Sequence, residues 1–292
     1  MSSNQNIRVA LLLLAGSALL FSSMGVLIRL ASHSVDNATI VFFRNAIGLI
    51  FILPLVLRTG LSNLKTSKLW MHTWRSIVGL TAMYGFFYAI AHMKLSNAMV
   101  FTYSSPIFIP LVAWLFLKEK LTLWTFLTAM IGLIGVLFVA KPDQGLFNFL
   151  SLIGLIASFL AATAFVTVRA LTHTEPPVRI VFYFCFISTL ISAVPMFWHW
   201  RIYTQQELLY LIGAAILATA SQLLMSHAYK LAPAGKIGPM NYLAIIFAGA
   251  WSAFLWQEYP DIYSAIGFVI ILLALIMCSP GLQERFGKKL HF

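Results

Sequence analysis

Residues 17–32 read SALLFSSMGVLIRLAS, and residues 157–172 read ASFLAATAFVTVRALT. The two stretches align without a gap at an offset of 140 residues, which pairs Arg29 with Arg169. The identities are sparse, but the correspondence extends over nearly the whole chain. It therefore indicates two related halves of similar length.

The correspondence continues beyond this first stretch. At the same offset, residues 40–43, IVFF, match residues 180–183, IVFY, and each half later carries a glutamate, Glu119 or Glu258. Both halves are hydrophobic throughout. An internal repeat in a hydrophobic chain of this size is typical of membrane transporters.

The composition excludes an ordinary soluble protein. Of the 292 residues, 61% are hydrophobic and 9% are charged, whereas soluble domains carry about 25% charged residues. The mean hydropathy is +0.90, which indicates a chain that crosses the membrane several times. The two cysteines, Cys185 and Cys278, lie in apolar runs and have no CxxC spacing, so we expect buried thiols and no metal site.

The net charge of +11 does not indicate a nucleic-acid partner, because the basic residues lie between the hydrophobic runs. Fourteen of the 19 basic residues fall on the side of the N-terminus if the runs alternate in direction. The opposite side has Arg29, Lys94, Lys141 and Arg201, and Arg44 lies within a run. The positive-inside rule then predicts a multi-pass protein of the inner (plasma) membrane with both termini cytoplasmic.

Ten segments reach the roughly 20 apolar residues that a membrane helix needs. They cover residues 9–31, 36–58, 69–92, 96–117, 122–141, 148–171, 177–199, 207–229, 234–256 and 261–279. We therefore expect an all-α polytopic protein with a first repeat in residues 1–141, a second in 148–280 and a cytoplasmic tail in 281–292. Because five spans per repeat is an odd number, the two repeats are inverted, an architecture that supports alternating access.

Prolines interrupt equivalent spans of the two halves. The fourth span contains Pro106 and Pro110 in YSSPIFIP, and the ninth contains Gly238 and Pro239 in GKIGPMNY. Proline frees a backbone carbonyl, which in a membrane must find a partner. These breaks predict a binding or gating site, and a packing kink satisfied by a neighbouring helix is the alternative.

Polar side chains near the breaks and in mid-membrane are the candidate ligands for a small-molecule substrate. The substrate-binding candidates are Arg44, Tyr84, Tyr88, Tyr103, Ser104, Gln222, Asn241 and Tyr242. Tyr84 and Tyr88 share a helix face, and aromatic pairs at this spacing belong to the core more often than to a cavity.

Arg44 is the deepest permanent charge, about eight residues into the second span, with no acidic residue inside any span. An intramembrane arginine is a functional candidate, and snorkelling or binding to backbone carbonyls is the alternative. Arg75 lies beside Trp70 and Trp74 near a span end, which predicts an interfacial anchor.

All eight acidic residues fall at span ends or in loops. Ion coupling through a buried carboxylate is therefore not expected. Exchange, facilitated movement, or a proton carried by histidine or substrate stay open. The unpaired arginine favours a substrate with a negative group, and no cofactor or metal is expected.

The chain resembles the drug/metabolite transporter superfamily, and in particular its ten-helix EamA-type permeases. The resemblance lies in FFRN at residues 42–45, in WLFLKEKLT, in KLAPAGKIGPMNY and in FLWQEYPD. It implies a central cavity lined by helices of both halves. FSSMGVLIRL and FFRN also resemble the branch that contains S-adenosylmethionine carriers.

Two other classes of protein are alternatives to a transporter. A membrane-embedded enzyme acting on a lipid or acyl substrate would need a nucleophile with a base, or clustered metal ligands, and no such motif appears. A structural protein has no evident use for inverted repeats. The substrate, the direction of transport and the choice between monomer and homodimer stay open.

Overall fold

A computed structural model of the protein describes residues 3–92, 103–141, 149–279 and 282. The described residues form ten long helices and contain no strand. The helices are α1 (Ser3–Ala31), α2 (Asn37–Thr59), α3 (Leu69–His92), α4 (Ser105–Leu117), α5 (Leu123–Ala140), α6 (Phe149–Leu171), α7 (Pro177–Phe197), α8 (Gln205–Leu231), α9 (Leu243–Trp256) and α10 (Ile262–Met277). A 3₁₀ turn, Leu61–Leu64, joins α2 to α3.

The predicted fold class, ten helices in two inverted repeats, is confirmed. Apart from the fourth span, the bounds differ by more than two residues in two places. The first helix begins at Ser3 rather than at residue 9. The ninth span is divided into a helical turn, Ala234–Ile237, a 3₁₀ segment, Gly238–Tyr242, and α9. Residues 96–102 of the predicted fourth span lie outside the described residues.

Side-chain caps fix several helix starts at the edges of the bundle. Asp36 accepts the Thr39 backbone N–H at the start of α2, at 3.0 Å, and Asp261 does the same for Ser264 in α10, at 3.1 Å. Such caps satisfy N–H groups that have no partner within the helix. They explain why these acidic residues lie at span ends.

The helix packing has the symmetry of the repeat. α1 packs along α8 and α3 along α6, so the first helix of each half contacts the third helix of the other. α2 packs on α7, and α5 packs on α10. Alternate helices run in opposite directions, so we distinguish the N-terminal face, where α1 begins, from the opposite face, where α1 ends.

The contact between α5 and α10 brings two backbones unusually close. A Cβ added to Gly267 would lie 2.6 Å from the Gly135 carbonyl oxygen, and one added to Gly135 would lie 2.8 Å from the Gly267 carbonyl oxygen. Small residues permit this approach between membrane helices. The fifth helices of the two halves therefore form one rigid pair.

Large apolar side chains cover the outside of the bundle. Examples are Phe254, Phe149 and Leu272, which are 78%, 76% and 45% exposed. Seven described segments are long and apolar enough to cross a membrane, and α4 and α10 are shorter apolar helices. The protein is therefore a multi-pass membrane protein whose exposed apolar surface faces lipid.

Candidate functional site

A buried arginine joins three helices inside the bundle. Arg75 of α3 donates from Nη1 to the Ile180 carbonyl of α7 at 2.8 Å, and from Nη2 to Gln222 Oε1 of α8 at 2.8 Å. Its guanidinium carbon lies 4.5 Å from the centre of the Phe184 ring. All of these partners are neutral, so they orient the cation without balancing its charge.

The prediction that Arg75 is an interfacial anchor is wrong, because the residue is only 3% exposed. Trp70, Trp74 and Ile77 are exposed, and their spacing of three to four residues defines the outer stripe of α3. Arg75 lies on the inner face of the same helix. Sequence neighbours one residue apart point in different directions on a helix, which explains the error.

Arg44 of α2 approaches the same interior. Its Nη1 lies 3.5 Å from the Met83 sulfur, a weak contact, and its Nε is buried without a hydrogen-bond partner. A Cβ added to Gly48, one turn after Arg44, would lie 3.4 Å from the sulfur of Cys185 in α7, and the neighbouring Phe184 ring packs on Arg75. Two like charges thus share one region between α2, α3 and α7.

Within residues 3–92, 103–141 and 149–279, no carboxylate forms an ion pair with Arg44 or Arg75. The described carboxylates that form ion pairs have other cations as partners, as Glu175 has Arg179. Holding a buried cation such as Arg75 and a partly buried one such as Arg44 without an anion costs several kcal/mol in a membrane. The arrangement therefore favours an anion that comes from outside the protein.

The remaining candidates fall into groups with different neighbours. Gln222 accepts a hydrogen bond from Arg75. Tyr103 packs against the apolar cluster that contains Tyr242. The Tyr242 hydroxyl donates to the Ala129 carbonyl at 3.0 Å. Asn241 donates to the Gly238 carbonyl at 2.8 Å and to the Tyr229 hydroxyl at 3.2 Å.

Three further candidates differ in exposure. The Tyr84 hydroxyl is buried without a partner, Tyr88 is 47% exposed, and Ser104 is buried. Of these three side chains, only that of Tyr84 has a buried polar atom without a partner, which a ligand could bind.

The two proline regions touch each other. Pro106 lies in the first turn of α4 and Pro110 lies inside it. A Cβ added to Gly235 would lie 3.6 Å from Pro110 Cα, and one added to Gly238 would lie 2.9 Å from Ile109. The start of the ninth span thus packs tightly on the fourth.

An ion pair closes this contact at the N-terminal face. Arg169 Nε of α6 lies 3.2 Å from Glu119 Oε1, just beyond α4. Glu119 also accepts the Gly235 backbone N–H at 3.2 Å, and Arg169 donates to the Tyr229 carbonyl at 2.7 Å. The two side chains are 14% and 16% exposed, so the pair is largely buried.

A second ion pair lies at the opposite face. Arg29 of α1 donates to Glu258 from Nη1 at 3.0 Å and from Nη2 at 2.8 Å, and its guanidinium carbon lies 4.2 Å from the centre of the Trp256 ring. The side chains are 45% and 51% exposed. The hydrogen bond from Arg29 lowers the pKa of the Glu258 carboxyl, so the pair stays charged at neutral pH.

A cluster near the N-terminal face was missed from the sequence. The Glu175 carboxylate accepts from Thr66 at 2.7 Å and pairs with Arg179. The buried His72 ring stacks on Tyr183 at 4.6 Å, with its Nε2 3.9 Å from Glu175. Across the ranges that the structure describes, no three potential metal ligands come together.

Comparisons with known proteins give a consistent result. The model of the EamA-like transporter family matches residues 8–141 and 148–279. The chain is 30% identical to the pseudopaline exporter CntI of Pseudomonas aeruginosa, over 89% of this chain and 92% of that one. It is 24% identical to an S-adenosylmethionine uptake transporter of Rickettsia bellii, over 88% of each chain.

One solved crystal structure shares the fold. It superposes with a TM-score of 0.82 at 17% identity and covers 95% of this chain and 98% of its own. The matched family model covers both halves of the chain, and the named relatives are an exporter and an uptake transporter. The chain therefore belongs to the EamA-like transporter family and is a membrane transporter.

Proposed function

We propose that this transporter carries a small metabolite with at least one carboxylate or similar anionic group, by alternating access and without an enzymatic step. The observation that carries the proposal is the buried Nε of Arg44, which has no hydrogen-bond partner among the described residues, in the same region of the bundle as the buried Arg75. Arg44 would bind the anionic group, and Arg75, held by Gln222, would supply the second positive charge.

Within the described part of the chain, Arg44 lacks a strong hydrogen-bond acceptor. A guanidinium matches a carboxylate with two parallel hydrogen bonds, and such charge-assisted bonds are roughly twice as strong as neutral ones. Met83 offers only a thioether sulfur at 3.5 Å, a weak acceptor. A carboxylate in this position would replace a poor contact by a good one and offset the repulsion between two cations.

The relatives support a small organic substrate, but they do not identify it. Pseudopaline, S-adenosylmethionine and, in a Brucella anthropi protein 31% identical over 54% of this chain, riboflavin are all small organic molecules. The other candidate residues, Tyr84, Tyr88, Tyr103, Ser104, Asn241 and Tyr242, stay predictions. So does the gating role predicted for Pro106, Pro110, Gly238 and Pro239.

A thermal-shift screen tests the substrate class. We expect some small carboxylates, and not their neutral amide or ester analogues, to raise the melting temperature of the purified protein. A ligand at a hundred times its Kd adds about 2.7 kcal/mol to the free energy of unfolding. The shift should disappear in Arg44→Gln and persist in Arg58→Gln, which removes an exposed arginine from the same helix. Equal shifts from acids and amides would contradict the proposal.

We further propose that the protein lies in the inner membrane with both termini cytoplasmic, and that its repeats occupy residues 1–141 and 148–280 with a tail in 281–292. Support comes from the sequence pattern, which assigns fourteen of the 19 basic residues to the side of the N-terminus. Alkaline phosphatase fused after Lys289 should be inactive, and a fusion near Asp143 should be active. The reverse pattern would show the opposite orientation. The choice between a monomer and a homodimer stays open.

A further inference from the structure

The two arginine–glutamate pairs are related by the internal repeat. Arg29 and Arg169 occupy equivalent positions near the ends of α1 and α6, and Glu119 and Glu258 follow the fourth helices of the two halves. Each pair joins the first helix of one half to the fourth span of the other. Because the halves are inverted, one pair lies at each face of the membrane.

The backbone around the two glutamates is also the same. Each glutamate follows a residue in the left-handed region, Lys118 with φ 53° and Gln257 with φ 57°. Glu119 N–H then donates back into α4 at 3.3 Å, and Glu258 N–H donates back into α9 at 3.2 Å. The fold therefore presents the two carboxylates in equivalent ways.

We propose that these two ion pairs are the gates of the transport cycle, Arg169–Glu119 at the N-terminal face and Arg29–Glu258 at the opposite face. The proposal rests on the alternating-access function proposed above. Each pair ties the two halves together at its own face, so breaking it allows that face to open. In a full cycle the two pairs break in turn.

The two gates differ in strength in this structure. Glu119 binds Arg169 and also the Gly235 N–H, so it fastens the start of the ninth span to α4 and α6. The Arg29–Glu258 pair is about three times as exposed. Exposed ion pairs contribute little, whereas removing one partner of a largely buried pair leaves an unpaired charge and is strongly destabilising. The N-terminal face is the firmly closed one.

A reporter of opening is available beside the buried pair. Ile109 is 0% exposed and packs on Gly238, in the contact that Glu119 fastens. A single cysteine at Ile109, in protein with Cys185 and Cys278 replaced by alanine, should react slowly with a charged maleimide. In lipid nanodiscs the reagent reaches both faces of the protein, so the result does not depend on the proposed orientation. Labelling needs no substrate, so the result does not depend on the proposed ligand either.

Breaking the buried pair is expected to expose the reporter. Glu119→Gln should raise the labelling rate of Ile109→Cys at least about fivefold, the lower end of the usual coupling between conformational states. Arg169→Gln, which removes the pair from the other side, should do the same. Glu258→Gln should lower the rate or leave it unchanged, because it favours opening of the opposite face.

A matched pair controls for general loosening. Lys141 and Asp261 form an ion pair at the opposite face that is 45% and 47% exposed, but it joins α5 and α10, the rigid pair. Lys141→Gln should therefore leave labelling unchanged. An unchanged rate in both Glu119→Gln and Arg169→Gln, with melting temperatures that show folded protein, would overturn the proposal. An equal increase in Glu258→Gln or Lys141→Gln would overturn it as well.

Discussion

Arg44→Lys is expected to leave the protein folded and to reduce transport of the carboxylate ligand about tenfold or more. Lysine keeps the charge but cannot form two parallel hydrogen bonds to a carboxylate. Losing one hydrogen bond to a charged group costs roughly 1.5–3 kcal/mol, and 1.4 kcal/mol is a factor of ten. Uptake per folded molecule in proteoliposomes, with the ligand found by thermal shift, measures the effect.

The control for this substitution lies on the same helix. Arg58→Lys makes the same change at an exposed position of α2 and should transport normally. Arg44→Ala separates the two roles of the residue. If Arg44 only stabilises the fold, Arg44→Ala will lower expression and melting temperature while Arg44→Lys transports normally. Normal transport by Arg44→Lys would end the ligand hypothesis.

Gly135→Ala is expected to lower the melting temperature strongly. The added methyl group would lie 2.6 Å from Ile271 Cγ1 and 2.8 Å from the Gly267 carbonyl oxygen. The carbonyl belongs to the backbone of α10, so the two helices must separate. Overpacking of this kind costs typically about 1–3 kcal/mol.

The matched control is Gly25→Ala in α1, where an added Cβ meets nothing within 4 Å. The same change there should leave the melting temperature unchanged or raise it slightly, because alanine favours helix more than glycine does. Thermal unfolding of both variants in the same detergent measures the difference. Equal melting temperatures would contradict the close packing of α5 on α10.

The helices were predictable because the membrane imposes their length. Residues 69–92 were predicted as a span, and α3 has the same bounds. The interruption of the ninth span was visible in Gly238 and Pro239, but the sequence could not show that the chain continues there as a 3₁₀ segment. That outcome depends on which neighbours accept the freed backbone groups.

The candidate site was less predictable because side-chain direction depends on packing. Arg44 was identified by its depth, whereas Arg75 was misjudged from its tryptophan neighbours and proved to be buried. The internal repeat predicts that Arg29 is equivalent to Arg169 and that Glu119 is equivalent to Glu258. Their pairing across the halves could have been inferred by asking which of the four residues lie at the same face.

The left-handed turns at Lys118 and Gln257 have a consequence for the history of the chain. A non-glycine residue in this conformation costs about 1–2 kcal/mol, yet both copies keep the turn with different residues. The two halves have thus kept the backbone shape while the side chain changed. Duplication and fusion of a single ancestral gene would leave this pattern. The ancestral product, half as long, would have had to insert into the membrane in both orientations and pair with its own inverted copy.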